Sequence, residues 1–174
     1  SNNTILYNGE ELITLANNNL GNRYMLGTSL DGNIFFTDKI SLKGDFNIIN
    51  ALKNDQYGPL PSISPVFLNL FINYEKEKWF ASLRYQYSGS KNPEEYSLGG
   101  EDGLEETPII SESQGIYAGT PAWSELSFLT QFSLNENGKI TIGLENIFDV
   151  HYRSFASGVS APGRNLRLGL NLKF

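Results

Sequence analysis

Cysteine is absent from this chain of 174 residues. Disulfides, thiolate metal sites and cysteine nucleophiles are thereby excluded. Basic residues are few, 13 Lys and Arg against 19 Asp and Glu, for a net charge of −6. No basic stripe of the kind that binds nucleic acid can be drawn from that set. No run approaches the roughly 18 uninterrupted apolar residues of a membrane helix, and helical periodicity is hard to find anywhere. Phosphate loops, zinc spacings and nucleotide fingerprints are missing. His151 is the only histidine. A Ser–His hydrolase would need it to converge in space with a serine and a polar orienter, and its sequence neighbours Ser154 and Ser157 give little support. A non-enzyme is expected, with no cofactor. No basic or apolar leader opens the chain, as expected of a processed protein or a fragment.

Glycine and aromatics fill the space instead: 17 Gly, 9 Tyr and 11 Phe. This composition suits an all-β chain. The mean hydropathy of −0.29 suggests a soluble protein, yet membrane barrels share such values because half of each strand faces a polar lumen. Period-2 alternation carries the reading. Leu166, Leu168, Leu170, Leu172 and Phe174 fall on one face of a final strand, and Asn165, Arg167, Gly169, Asn171 and Lys173 on the other. About eight strands are predicted: around 11–16, 22–36, 39–51, 66–74, 79–87, 122–134, 139–146 and the last. The wall alternation is clearest at Ile40, Leu42, Phe46 and Ile48, and at Val66, Leu68, Leu70, Ile72 and Tyr74. The opposite, lumen-facing set is Asn69, Asn73, Arg84, Gln86, Glu125, Gln131, Thr141, Glu145 and Asn171.

Short and long connections alternate. Turns near Asp38, Lys76 and Asn137 are tight, and connections near Asn54, Gly100 and Ser157 are long. Outer-membrane barrels sort their loops in this way, with short periplasmic turns and longer extracellular loops. Tyr24, Phe36, Trp79, Tyr85, Tyr87, Trp123 and Phe174 sit near predicted strand ends, where interfacial girdles lie. The fold expected is an antiparallel transmembrane β-barrel segment. A soluble sandwich or lipocalin-like barrel, and a complete small eight-stranded barrel of structural or adhesive role, remain alternatives at this point.

Arg167, Gly169, Leu172 and Phe174 resemble the C-terminal signal of bacterial outer-membrane barrels. The resemblance sharpens upstream. Gly143-Leu144-Glu145-Asn146-Ile147-Phe148-Asp149, then Tyr152-Arg153, then Pro162-Gly163-Arg164 and the terminal strand, resemble the C-terminal end of a TonB-dependent receptor. Gly58-Pro59-Leu60-Pro61-Ser62-Ile63-Ser64-Pro65 resembles that family's approach to a barrel strand. Ile147 and Ser64 depart from the family's usual Leu and Pro.

The resemblance implies a wall of about twenty-two strands plugged by a separate domain. Residues 1–174 would be the C-terminal portion, lacking the plug and the earlier strands. Implied partners are the rest of the barrel and its plug, the TonB complex acting through the plug, outer-membrane lipids and the barrel assembly machinery. The implied location is the cell outer membrane. The implied activity is energised uptake of a scarce nutrient: siderophore iron, haem, cobalamin or a glycan. Tyr96 and Tyr117 are candidate ligand contacts on the long loop 88–121, and His151 is a candidate haem contact in the family's import of haem. Arg164 is expected to reach loop carbonyls or Glu145. Asn146 and Asp149 are expected to bond loop backbone. Acidic residues Asp38, Asp45, Asp55 and those between Glu101 and Glu106 could bind calcium, but lacking any EF-hand spacing they read as solvated loop.

Overall fold

The computed structural model describes residues 4–13, 22–52, 58–97 and 100–173. In chain order its strands are β1 (Thr4–Tyr7), β2 (Glu10–Ile13), β3 (Met25–Phe35), β4 (Ile40–Ala51), β5 (Phe67–Lys76), β6 (Trp79–Ser88), β7 (Ile109–Ser111), β8 (Ile116–Tyr117), β9 (Trp123–Asn135), β10 (Gly138–Glu145) and β11 (Asn165–Leu172). No helix among the described residues is long and apolar enough to cross a membrane.

Seven strands form one antiparallel sheet in the order β11-β10-β9-β6-β5-β4-β3. β7 and β8 form a small hairpin of their own, inserted between β6 and β9 without separating them. β1 and β2 pair around Asn8-Gly9, both at positive φ, +51° and +87°. That is the geometry a two-residue hairpin requires, and Asn-Gly is its best-suited sequence. The strand expected at 11–16 therefore starts earlier, at Glu10, and has a partner that the alternation alone did not show. Residues 14–16 lie outside the described residues.

Register makes the sheet two-faced. Ile34, Leu42, Ile72, Leu83, Phe128, Leu144 and Leu166 are successive cross-strand partners from one edge to the other, and every one is apolar. Three residues along, the opposite face carries Asp31, Asp45, Asn69, Gln86 and Glu125 in a second row. Both rows obey the period of two that a pleated strand imposes. β3, β4, β5, β6 and β9 each have ten residues or more, enough to cross a bilayer at a tilt.

The apolar face is open. Leu166, Leu168 and Leu170 are 62%, 70% and 64% exposed. Buried apolar side chains among the described residues are Tyr96 and Trp123, whereas Ser82, Ser88, Lys91, Asp102, Thr120, Glu125, Ser127 and Asn146 are buried. A soluble sandwich inverts that distribution, because burial of apolar surface is its main source of stability. An apolar face of this extent needs an apolar surrounding. The sheet is also unclosed: among the described residues its edge strands β3 and β11 do not pair with each other. A self-contained small barrel would need that pairing.

A charge tests the assignment of faces. Ile72→Arg, in the apolar row, should cost about 2–4 kcal/mol on unfolding from phospholipid vesicles by urea. Thr141→Arg, on the polar face, should cost far less. Equal losses would contradict the two-faced wall.

Candidate functional site

The connections sort by end. Residues 36–39, 77–78 and 136–137 close tight turns at one end. The described residues 58–66, 89–97 with 100–122, and 146–164 belong to three long connections at the other. These three loops, with the polar face beneath them, make up the candidate site.

The polar face is knitted across strands. Asn69 Nδ2 donates to Asp45 Oδ2 at 2.8 Å, and Gln86 Nε2 donates to Asn69 Oδ1 at 2.7 Å. Ser82 Oγ donates to Asn73 Oδ1 at 2.7 Å. A groove of about 340 Å³ runs over this face, lined in part by Lys43, Phe71, Arg84, Ser127, Glu145 and Arg167. Arg167 Nη1 pairs with Glu145 Oε1 at 3.3 Å, with both side chains partly in solvent. Such a pair is worth at most about 1 kcal/mol. Arg167 crosses beside Gly143, where a Cβ would stand in ordinary contact, 3.6 Å from Arg167 Nε. Arg164 was expected to reach loop carbonyls or Glu145; Arg167, three residues further along, takes that carboxylate.

Where wall meets loop, Glu125 is the anchor. It is 2% exposed and accepts from Arg84 Nη2 at 3.3 Å, from the Asn146 backbone N–H at 2.7 Å, and from the Ser127 hydroxyl. Asn146 sits at φ +49° just past β10. Its side chain donates to the carbonyls of Val150 (2.9 Å) and Pro162 (3.1 Å) and accepts from the Val150 N–H (2.8 Å). Asn is among the few residues that tolerate such a backbone while bonding nearby peptide groups. Asp149 accepts from the Arg164 N–H at 2.7 Å. A Cβ at Gly163 would stand 2.7 Å from the Asp149 carboxylate, which would have to shift to admit it. The expected loop-bonding roles of Asn146 and Asp149 are therefore present in the structure. Phe148 is exposed.

Trp123 was expected at a membrane girdle. It instead points to the polar face, stacked on Tyr152 at 4.0 Å and edge-on to Phe67 at 6.2 Å. Its parity with Glu125 on β9 is the reason, because residues two apart share a face. Tyr24, Phe36, Trp79 and Tyr85 do remain exposed near strand ends. Burial pushes the Tyr152 phenol above its ordinary range, with Glu125 adding in the same direction.

Above this anchor lies a second cluster. Lys91 and Asp102 are 4% and 2% exposed and pair at 3.2 Å. Asp102 Oδ1 also accepts from the Ser62 N–H at 2.7 Å, and Lys91 Nζ donates to the Ile63 carbonyl at 2.6 Å. Lys91 lies 4.1 Å from the Phe155 ring centroid and 5.2 Å from that of Tyr96. Tyr96 is 3% exposed, and its hydroxyl bonds Thr120 Oγ1 at 2.6 Å. Its phenol, too, is pushed up by burial. At the loop's return, Gly119 at φ +75° passes so close to the Lys91 carbonyl that any side chain would collide.

The candidate ligand residues are therefore scattered. Tyr96 is packing inside the loops rather than a surface contact. Tyr117 is half-buried in β8, opposite Ile109. His151 is exposed, with Nε2 3.1 Å from Ser160 Oγ, and Arg153 donates to the same hydroxyl and to the Glu106 carbonyl. Asp102, read as part of a solvated acidic loop, is buried and ion-paired. No cluster of three or more metal-ligating His, Asp or Glu occurs among the described residues. Asp55 and Phe174 lie outside the described residues.

Removing the anchor should loosen the third loop. Glu125→Ala would leave Arg84 and the buried Asn146 N–H with only their longer contacts to Ser127 Oγ, 3.5 and 3.2 Å, a loss of about 2 kcal/mol. Urea unfolding in vesicles measures it, and Glu125→Gln should lose distinctly less. A cost of Glu125→Ala below about 0.5 kcal/mol would show that the carboxylate does not hold wall to loop.

No protein-family model matches the chain, and no curated protein does. Solved structures do. The copper transporter OprC superposes with a TM-score of 0.70 at 17% identity, over 86% of this chain and 24% of that one. The ferric enterobactin receptor PfeA of Pseudomonas aeruginosa, solved as a point mutant, gives 0.65 at 17% identity, over 85% and 22%. The siderophore receptor PiuA of Acinetobacter baumannii gives 0.60 at 15% identity, over 86% and 22%. The chain thus spans about a quarter of the length of these proteins or less. With its unclosed seven-stranded sheet and sorted loops, it has the fold of a wall segment from a TonB-dependent receptor barrel.

Proposed function

We propose that this chain is the C-terminal part of a TonB-dependent receptor in the outer membrane, and that the whole protein imports a scarce nutrient. The observation that carries the reading is the sheet itself: an apolar row across all seven strands on one face, a polar row on the other, and edge strands β3 and β11 that do not pair with each other among the described residues. Transporters and receptors named for copper, ferric enterobactin and siderophores share this fold, which supports uptake rather than catalysis. Siderophore iron is the first substrate class to test, ahead of haem, cobalamin and glycans.

In this reading the apolar rows meet outer-membrane lipid and the polar face meets the plug, through which the TonB complex supplies energy. β11 bears Arg167, Gly169 and Leu172 on the edge strand, which suits its reading by the barrel assembly machinery together with Phe174. The three long loops form the outward rim. Tyr117 and His151 are its proposed ligand contacts; Tyr96 acts by shaping the loop.

The test has two readouts on native outer membrane. The polypeptide containing this sequence should have a mass of about 70 kDa or more by mass spectrometry, in keeping with a plugged barrel of many strands. Cells lacking it should lose uptake of a radiolabelled ferric siderophore, and a protonophore should abolish the uptake that remains in wild type. A mature product near 19 kDa, the mass of this chain alone, would overturn the receptor reading. An intact large protein with unaltered iron uptake would move the search to the other nutrients.

A further inference from the structure

Neither the wall nor the import reading calls for a buried ion pair within the second loop, yet parts of three loops converge on it. The first loop contributes the Ser62 N–H and the Ile63 carbonyl, the second contributes Lys91, Asp102 and Tyr96, and the third contributes Phe155. Ser62 is held at φ +61° where it meets Asp102. The Phe155 ring also meets Tyr96 edge-on at 5.9 Å. A second tie joins the third loop to the second, from the Arg153 guanidinium to the Glu106 carbonyl.

A buried ammonium is tolerated only while it is paired and hydrogen-bonded. Here that condition is met by parts drawn from all three loops. Lifting the first loop strips Lys91 of a carbonyl and Asp102 of an N–H. Lifting the third removes an aromatic face from Lys91 and admits water to the pair. Each displacement leaves the same two charges worse off, so the cost of moving one loop depends on where the others are.

We propose that the Lys91–Asp102 pair clasps the three outer loops into one cooperative unit, so that the rim over this part of the wall opens and closes as a single body. The clasp goes beyond the import reading, and its test does not use transport.

The experiment is hydrogen–deuterium exchange of the whole outer-membrane protein in detergent, read by mass spectrometry of its loop peptides. Asp102→Asn removes the charge and keeps the size. It should speed exchange at least tenfold in residues 58–66, 100–120 and 150–162 alike, with strand amides unchanged. Phe155→Ala is the sharper variant, because it leaves both charges of the pair in place and removes only the third loop's aromatic face from Lys91 and Tyr96. It should speed exchange in 58–66 as well as in 150–162. Acceleration confined to the loop that carries the substitution would overturn the clasp, as would unchanged exchange. Should Asp102→Asn fail to reach the membrane, Phe155→Ala decides alone.

Discussion

The antiparallel ladder is the constraint on which the rest depends. Across seven strands its register keeps step with the side-chain alternation, with one shift at the end of the β9–β10 pairing. A single slip would turn a strand's leucines into the polar groove and its asparagines toward lipid. The one irregularity in these pairings, between Gly138 and Lys139, falls beside the Asn135–Gly138 turn. There it shapes the turn and leaves the faces intact. In hydrocarbon the ladder has a second role, since each backbone N–H and C=O must find its partner within the sheet.

From that register the inverted burial follows. Apolar side chains lie open on the outer face, and the polar groups bury themselves at the top of the inner one. The buried carboxylates Glu125 and Asp102 do different work. Glu125 belongs to a strand and ties the wall to the start of the third loop. Asp102 belongs to a loop and ties loops to one another. Trp123 and Tyr152 fill the space between these levels. The rim is therefore built from the wall upward, in two layers, each centred on a satisfied charge.

Much of this was legible in the sequence, and what was not has physical reasons. The wall strands were found to within a few residues because alternation is a local signal that each strand repeats. The same parity would have placed Trp123 inward, since it lies two residues from Glu125. Proximity to a strand end suggested a girdle instead. The β1–β2 hairpin was announced by Asn8-Gly9 but hidden by its shortness, and Ile109 and Ile110 sat in a stretch too rich in turns to read as a strand. The Lys91–Asp102 pair left no local trace. Its meaning depends on Ser62, Ile63 and Phe155, which are distant in sequence and meet only when the loops fold. Arg164 and Arg167 both follow Pro162, and only the fold shows that Arg167, paired in register with Gly143, reaches diagonally to Glu145.

The central claim is that one face of the sheet meets lipid and the other does not. Spin labels on single cysteines placed in turn from 166 to 172 test it most directly, in the whole protein reconstituted in phospholipid vesicles, with any cysteine outside this chain removed. Labels at 166, 168, 170 and 172 should be reached by oxygen from the bilayer, and those at 167, 169 and 171 by a polar nickel chelate from water. Accessibility alternating with a period of two would uphold the account. Uniform access to the chelate along the strand would contradict it.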